Sequence, residues 1–119
     1  MKLIQDYSFH DGKILSVSIS AKSVEVVFEK WDCKQIRLWF DDYRIVKDRH
    51  SIGQDIGELL INSFTDTMNE LVEYILDEGG SKEETNKLKV YSFTNSFGNH
   101  TLLEIVALNA QVEELSLLK

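Results

Sequence analysis

The sequence predicts an α+β domain: a mostly antiparallel sheet of six or seven strands with one helix, about 67–78, packed on it. Three observations lead there. Apolar and polar residues alternate with period two in several separate segments. One later segment changes to helical spacing. No proline, glycine/serine-rich linker or internal repeat interrupts the 119 residues, so 1–119 reads as a single domain. A chain of that length buries roughly two-thirds of its unfolded surface, enough for one core without disulfide or metal.

A short strand at 3–9 leads into the turn Asp11-Gly12, where glycine accepts positive φ. In 13–20, Leu15, Val17 and Ile19 alternate with Ser16, Ser18 and Ser20, which describes a half-buried strand. Segments 22–31 and 35–41 form a hairpin, with Val24, Val26 and Phe28 on the same side as Ile36, Leu38 and Phe40. A three-residue loop, Asp32-Cys33-Lys34, would oppose Phe28 to Leu38, Val26 to Phe40, Glu29 to Arg37 and Val27 to Trp39. Its third position lacks the glycine such loops prefer.

A fourth strand is expected at 43–48, followed by a polar loop, 48–55. Residues 58–64 read as a strand, with a helical extension as the alternative. Thr67 and Glu70 form a capping-box pattern ahead of Met68, Leu71, Val72, Ile75 and Leu76 at helical spacing. Gly79-Gly80 stops that helix, and 81–87 is a polar loop. Two strands follow, 88–93 and 101–108. Leu102, Val106 and Leu108 face one way and Leu103, Ile105 and Ala107 the other, the pattern of an internal strand covered on both sides. Val112, Leu115, Leu117 and Leu118 make a last short segment of undecided type.

Composition narrows the function. No apolar run approaches the roughly 20 residues that span a bilayer. The N-terminus lacks the apolar segment of a signal peptide, so a cytoplasmic protein is expected, with no membrane partner. Twenty acids against thirteen bases give a net charge of −7. The excess is uneven: residues 1–59 carry −1 and residues 60–119 carry −6. Such a field repels phosphate backbones and argues against nucleic acid, while it attracts a basic protein. The bland reading is that this acidity merely keeps a cytoplasmic protein soluble, and base rates for surface charge favour it.

Motif chemistry is sparse. His10-Asp11 is the one pair that could serve as acid/base or ligand, with His50 and His100 the other histidines. No His-x-x-x-His or Glu-x-x-His pattern joins them, whereas zinc needs three or four convergent ligands, so His10-Asp11-Gly12 reads as a turn and no metal or cofactor is expected. Cys33 is the sole cysteine, flanked by Asp32 and Lys34, and reads as an unused thiol. The glycines form neither a Walker loop nor G-x-G-x-x-G.

Two surfaces remain as candidates for partner binding. The first is acidic: Asp66, Glu70, Glu73, Asp77 and Glu78 continue into Glu83 and Glu84. The second is the far face of the hairpin, with Trp31 and Trp39 beside Val27, because tryptophan is enriched at binding hot spots. Taken alone the first is most often a solvated face, and the second is more simply a sheet face covered by the C-terminal segment or the helix.

The order of segments also carries a likeness. Phe9-His10-Asp11-Gly12 leads into an alternating strand; Ile36-Arg37-Leu38-Trp39-Phe40 and Asp55-Ile56-Gly57-Glu58-Leu59-Leu60-Ile61 follow. Leu88-Lys89-Val90-Tyr91-Ser92-Phe93 and Leu103-Glu104-Ile105-Val106-Ala107 complete it. This order resembles small bacterial proteins associated with polymorphic-toxin loci. The resemblance implies an immunity protein, of the contact-dependent growth inhibition kind, that binds and silences one cognate toxin domain, often a nuclease. It implies no catalytic residues. The expectation is therefore a non-catalytic binding protein with a basic toxin domain as partner. The alternatives are a small enzyme using His10 and Asp11, and a module that self-associates through a sheet face or free edge strand.

Overall fold

The computed structural model describes residues 3–61, 70, 73, 77, 79, 87–96 and 100–115. A short 3-10 turn, Ile4–Asp6, precedes eight strands. They are β1 (Gly12–Ile19), β2 (Ser23–Glu29), β3 (Gln35–Asp41), β4 (Ile45–Asp48), β5 (Asp55–Ile61), β6 (Lys89–Asn95), β7 (Thr101–Ala107) and β8 (Asn109–Glu114). All lie in one antiparallel sheet of order β4-β7-β6-β5-β1-β2-β3-β8.

That order returns on itself. The chain passes from β3 to β4 through 42–44 and from β7 to β8 through Leu108. β3 pairs with β8 and β4 with β7, so the strands at the two ends of the order belong to one bent ribbon. Two backbone bonds stitch the bend: Leu108 N–H donates to Asp41 O (3.0 Å) and Arg44 N–H to Val106 O (2.7 Å). At the opposite corner, β1 meets β5 through only two residue pairs, Gly12↔Ile56 and Lys13↔Asp55.

Folding back lets one half of the sheet cover the other. Val24, Val26 and Phe28 on β2 and Ile36, Leu38 and Phe40 on β3 are fully buried, as their alternation predicted. They meet Tyr91 and Phe93 of β6 and Leu103, Ile105 and Ala107 of β7 in one cluster. Phe9 packs edge-on to Phe28 (4.9 Å between centroids) and Phe93 (5.8 Å), and Phe40 to Tyr91 (5.0 Å). Each buried aromatic contributes about 1.5–3 kcal/mol by area, with edge-on pairing adding ~1 kcal/mol.

β7 is the internal strand that its two apolar faces predicted. It lies between β4 and β6 and is buried throughout Leu103–Ala107. Its second face carries Val106, which clusters with Leu88, Val90, Ile45 and Leu108. Buried Glu104 shares that face and accepts from Ser92 Oγ (3.2 Å).

The α+β class is corrected. The bounded elements are eight strands, not six or seven, and one 3-10 turn; no helix among the described residues packs on the sheet. Of the predicted helix 67–78, only Glu70, Glu73 and Asp77 are among the described residues; their backbone is helical and they are exposed. The inner face is covered by the other half of the sheet, a second layer that needs no helix. Among the described residues, no helix is long and apolar enough to cross a membrane.

Four local expectations also change. The predicted strand 3–9 is the 3-10 turn, followed by extended chain. In β1, Ile14 opposes Phe28 and Ser16 opposes Val27, so Leu15 is a bulge residue and is exposed. The bulge inverts the alternation, which is why Ile14 enters the core and not Leu15. In the β2–β3 hairpin, Phe28 opposes Ile36, Val26 opposes Leu38 and Val27 opposes Arg37, two residues from the predicted register. A slip of two keeps every side chain on its face, so the hydrophobic pattern alone is blind to it. Finally, Asp11 holds the positive φ (62°) of the first turn, not Gly12. Gly12 is needed for room: a Cβ there would lie 2.3 Å from the Phe28 ring and 2.6 Å from the Glu29 carbonyl oxygen.

We therefore expect Gly12→Ala to lower stability by about 1–3 kcal/mol through overpacking. Phe93→Ala should cost about 3–5 kcal/mol, because it removes the ring that contacts Phe9, Phe28 and Phe40. Urea unfolding midpoints measure both; an unchanged midpoint in either variant would contradict the packing described.

Candidate functional site

The hairpin tip is the first place where sequence expectation and geometry meet. Lys30 N–H donates to Lys34 O (2.8 Å), closing a loop of Trp31, Asp32 and Cys33. Cys33 takes the third position with φ 68°, the conformation that usually selects glycine. Asp32 compensates locally: its Oδ1 accepts the Lys34 N–H (3.1 Å), and its other oxygen lies 3.8 Å from Lys30 Nζ. Trp31 projects from this tip, 66% exposed. The Cys33 thiol is exposed and free.

Trp39 sits elsewhere. It lies on the outer face of β3, half-buried, opposite Glu25 of β2 and Gln111 of β8. At 3.3 Å per residue, the stretch from Lys34 to Trp39 alone spans about 17 Å. The two tryptophans therefore do not make one patch. The Arg37 guanidinium lies 5.5 Å from the centroid of the Trp39 ring. Arg37 also pairs with Glu25 (Nε to Oε1, 2.9 Å) and with Glu113 (3.4 Å). This face is thus a charged ladder across β2, β3 and β8, and β8 extends the sheet edge without covering the face.

Of the acidic set, Glu70, Glu73 and Asp77 are exposed. Glu70 pairs with Lys47 of β4 (3.0 Å), which ties one of the three carboxylates to the sheet. An exposed pair of this kind contributes about 0–1 kcal/mol. Asp66, Glu78, Glu83 and Glu84 lie outside the described residues.

The sequence reading missed a further acidic group on β8. Glu113 and Glu114 are exposed, Glu114 accepts from the Tyr7 hydroxyl (3.2 Å), and Asp41 opposite the other end of β8 accepts from Gln111 (2.9 Å). The signal is Gln111-Val112-Glu113-Glu114, whose alternation marks a strand.

The histidines lie apart, His10 in the turn before β1, His50 after β4 and His100 just before β7. In the tautomer carrying Nδ1–H, His10 donates to the Gly57 carbonyl (3.2 Å), and its Nε2 lies 3.4 Å from Asp11. His50 and His100 are exposed. Among the described residues, no group of three or more His, Cys, Asp or Glu is arranged to hold a metal.

A cavity of about 400 Å³ opens where the edge of β8 approaches β5 and β6 beneath the 3-10 turn. Ile4, Gln5, Ile61, Lys89, Tyr91 and Ala110 contribute to its wall. Burial pushes the Tyr91 phenol above its ordinary value of 10.0. Tyr7 is raised as well, first by desolvation and then by its bond to Glu114. Comparison with family models, with characterised proteins and with solved structures gives no match for this chain.

Both phenols are favoured in their neutral form by folding. The stability they contribute is complete below the unfolded tyrosine range and declines as pH rises past it. Urea midpoints measured from about pH 9 to 11 should fall, and Tyr91→Phe should flatten that fall. An identical alkaline slope in the variant would exclude Tyr91 as its source.

Proposed function

We propose that this chain is a non-catalytic, cytoplasmic binding protein of the immunity type, which neutralises a basic toxin domain by occluding it. The observation that carries the reading is electrostatic: a net charge of −7, with −6 in the second half of the chain. Exposed carboxylates at Glu70, Glu73, Asp77 and Glu113 are where that charge meets solvent. The segment order that resembles toxin-locus proteins points the same way. A domain that cleaves nucleic acid must bind phosphates and is basic around its cleft, so a nuclease is the class of toxin this charge suits. Complementary potential speeds docking, and close charge pairs contribute several kcal/mol of coupling in known inhibitor complexes. Occlusion needs no chemistry from the inhibitor.

On this reading the gene immediately upstream ends in a toxin domain, and the test uses that domain. Co-expression of this chain should restore growth to cells in which that domain is toxic. In titration calorimetry, the triple variant Glu70→Lys, Glu73→Lys, Asp77→Lys should bind at least tenfold more weakly at 50 mM salt, with a smaller difference at 300 mM. Absence of growth rescue would overturn the function. Rescue with unchanged affinity in the triple variant would keep the function and remove this surface.

A further inference from the structure

We propose that the free edge of β8 is a docking strand for an extended, lysine- or arginine-bearing segment of a protein partner; the choice of a basic partner rests on the function proposed above. Leu115 N–H donates to Gln35 O (2.9 Å), which sets the phase of the β3–β8 ladder. Its alternate residues, Ala110 and Val112, therefore turn their N–H and C=O groups away from β3, toward the open side of the sheet. β8 ends the strand order there, and no backbone bond among the described residues reaches those groups. β4, at the other end, has four residues against six and offers a shorter template.

Edge strands are normally guarded by charged side chains, proline, a bulge or a covering segment; β8 has no proline or bulge, its guards are Glu113 and Glu114, and the 3-10 turn packs against it near Tyr7. Asp41 lies beside β8 as well. A second copy of this chain would set one −7 molecule against another, whereas a cationic strand meets complementary charge. The same edge borders the cavity, since Ala110 lines both. A strand added to β8 alternates its side chains between two faces. One set would lie beside Gln111 and Glu113 on the outer face, and the other would place an apolar side chain between Ile61, Tyr91 and Ala110, where Lys89 also lines the wall.

The probe is a capped, fluorescein-labelled octapeptide of alternating lysine and valine with one central phenylalanine, followed by anisotropy at 50 mM salt. Saturable binding is expected. Two N-methylated versions carry the methyl groups on alternate residues, one set for each edge of the peptide. Strand addition predicts a loss of at least tenfold for one version and little for the other, because only one edge faces β8. Ala110→Pro, which removes an outward N–H and no β3 bond, should weaken the parent peptide at least tenfold. Absence of saturable binding would overturn the proposal. So would equal affinity for both methylated versions, a result that needs no protein variant. If the upstream toxin domain is neutralised and Ala110→Pro binds it undiminished, the docking strand is wrong and the immunity function stands.

Discussion

The architecture depends on one constraint: a twisted sheet with an apolar inner face has to hide that face, and here the other half of the same sheet hides it. The bent ribbon of β3–β4 against β7–β8 makes this possible, because it carries two strands from one half to the other while keeping them hydrogen-bonded to each other. Phe28 and Phe40 then face Phe93 and Tyr91, and Phe9 fills the space between Phe28 and Phe93. If the ribbon did not turn at Leu108 and 42–44, those rings would face water.

Closure by a ribbon also decides where the molecule is open. A continuous barrel has no edge, but here β4 and β8 each keep one side unpaired by any strand among the described residues. The β4 side carries Lys47 with Glu70 close by. The β8 side carries the cavity, two outward backbone positions and an acidic pair. The outer ladder of Glu25, Arg37 and Glu113 continues that acidic character across three strands, with Arg37 between two carboxylates and over Trp39. Packing inside and recognition outside are thus read from alternate residues of the same strands.

Much of this was legible in the residues. Alternation placed Val24, Val26, Phe28, Ile36, Leu38 and Phe40 on one buried face, and all six are buried. The double apolar pattern of 102–108 marked an internal strand, and β7 is one. His10 and Asp11 lie in a turn, with His10 Nδ1 against the Gly57 carbonyl and its Nε2 3.4 Å from Asp11. Of the candidate site, the acidity was visible and its grouping was not: Trp31 and Trp39 separate, and the Gln111-Val112-Glu113-Glu114 pattern marks a strand but not its place at the sheet edge.

What the sequence by itself determined is the inward face of β2 and β3, the two covered faces of β7 and the sign of the net charge, because period two and net charge are properties of neighbouring residues and of simple sums. Three things were decided only in three dimensions. The register of the β2–β3 hairpin depended on loop chemistry at Trp31-Asp32-Cys33, since a two-residue slip leaves every face unchanged. The bulge at Leu15 depended on how β1 meets β2, and it put Ile14 inside in place of Leu15 while Val17 kept its inward side. The covering of the inner face depended on strands far apart in the chain finding each other, Ile36 with Glu114 and Ile45 with Val106, which no local window contains.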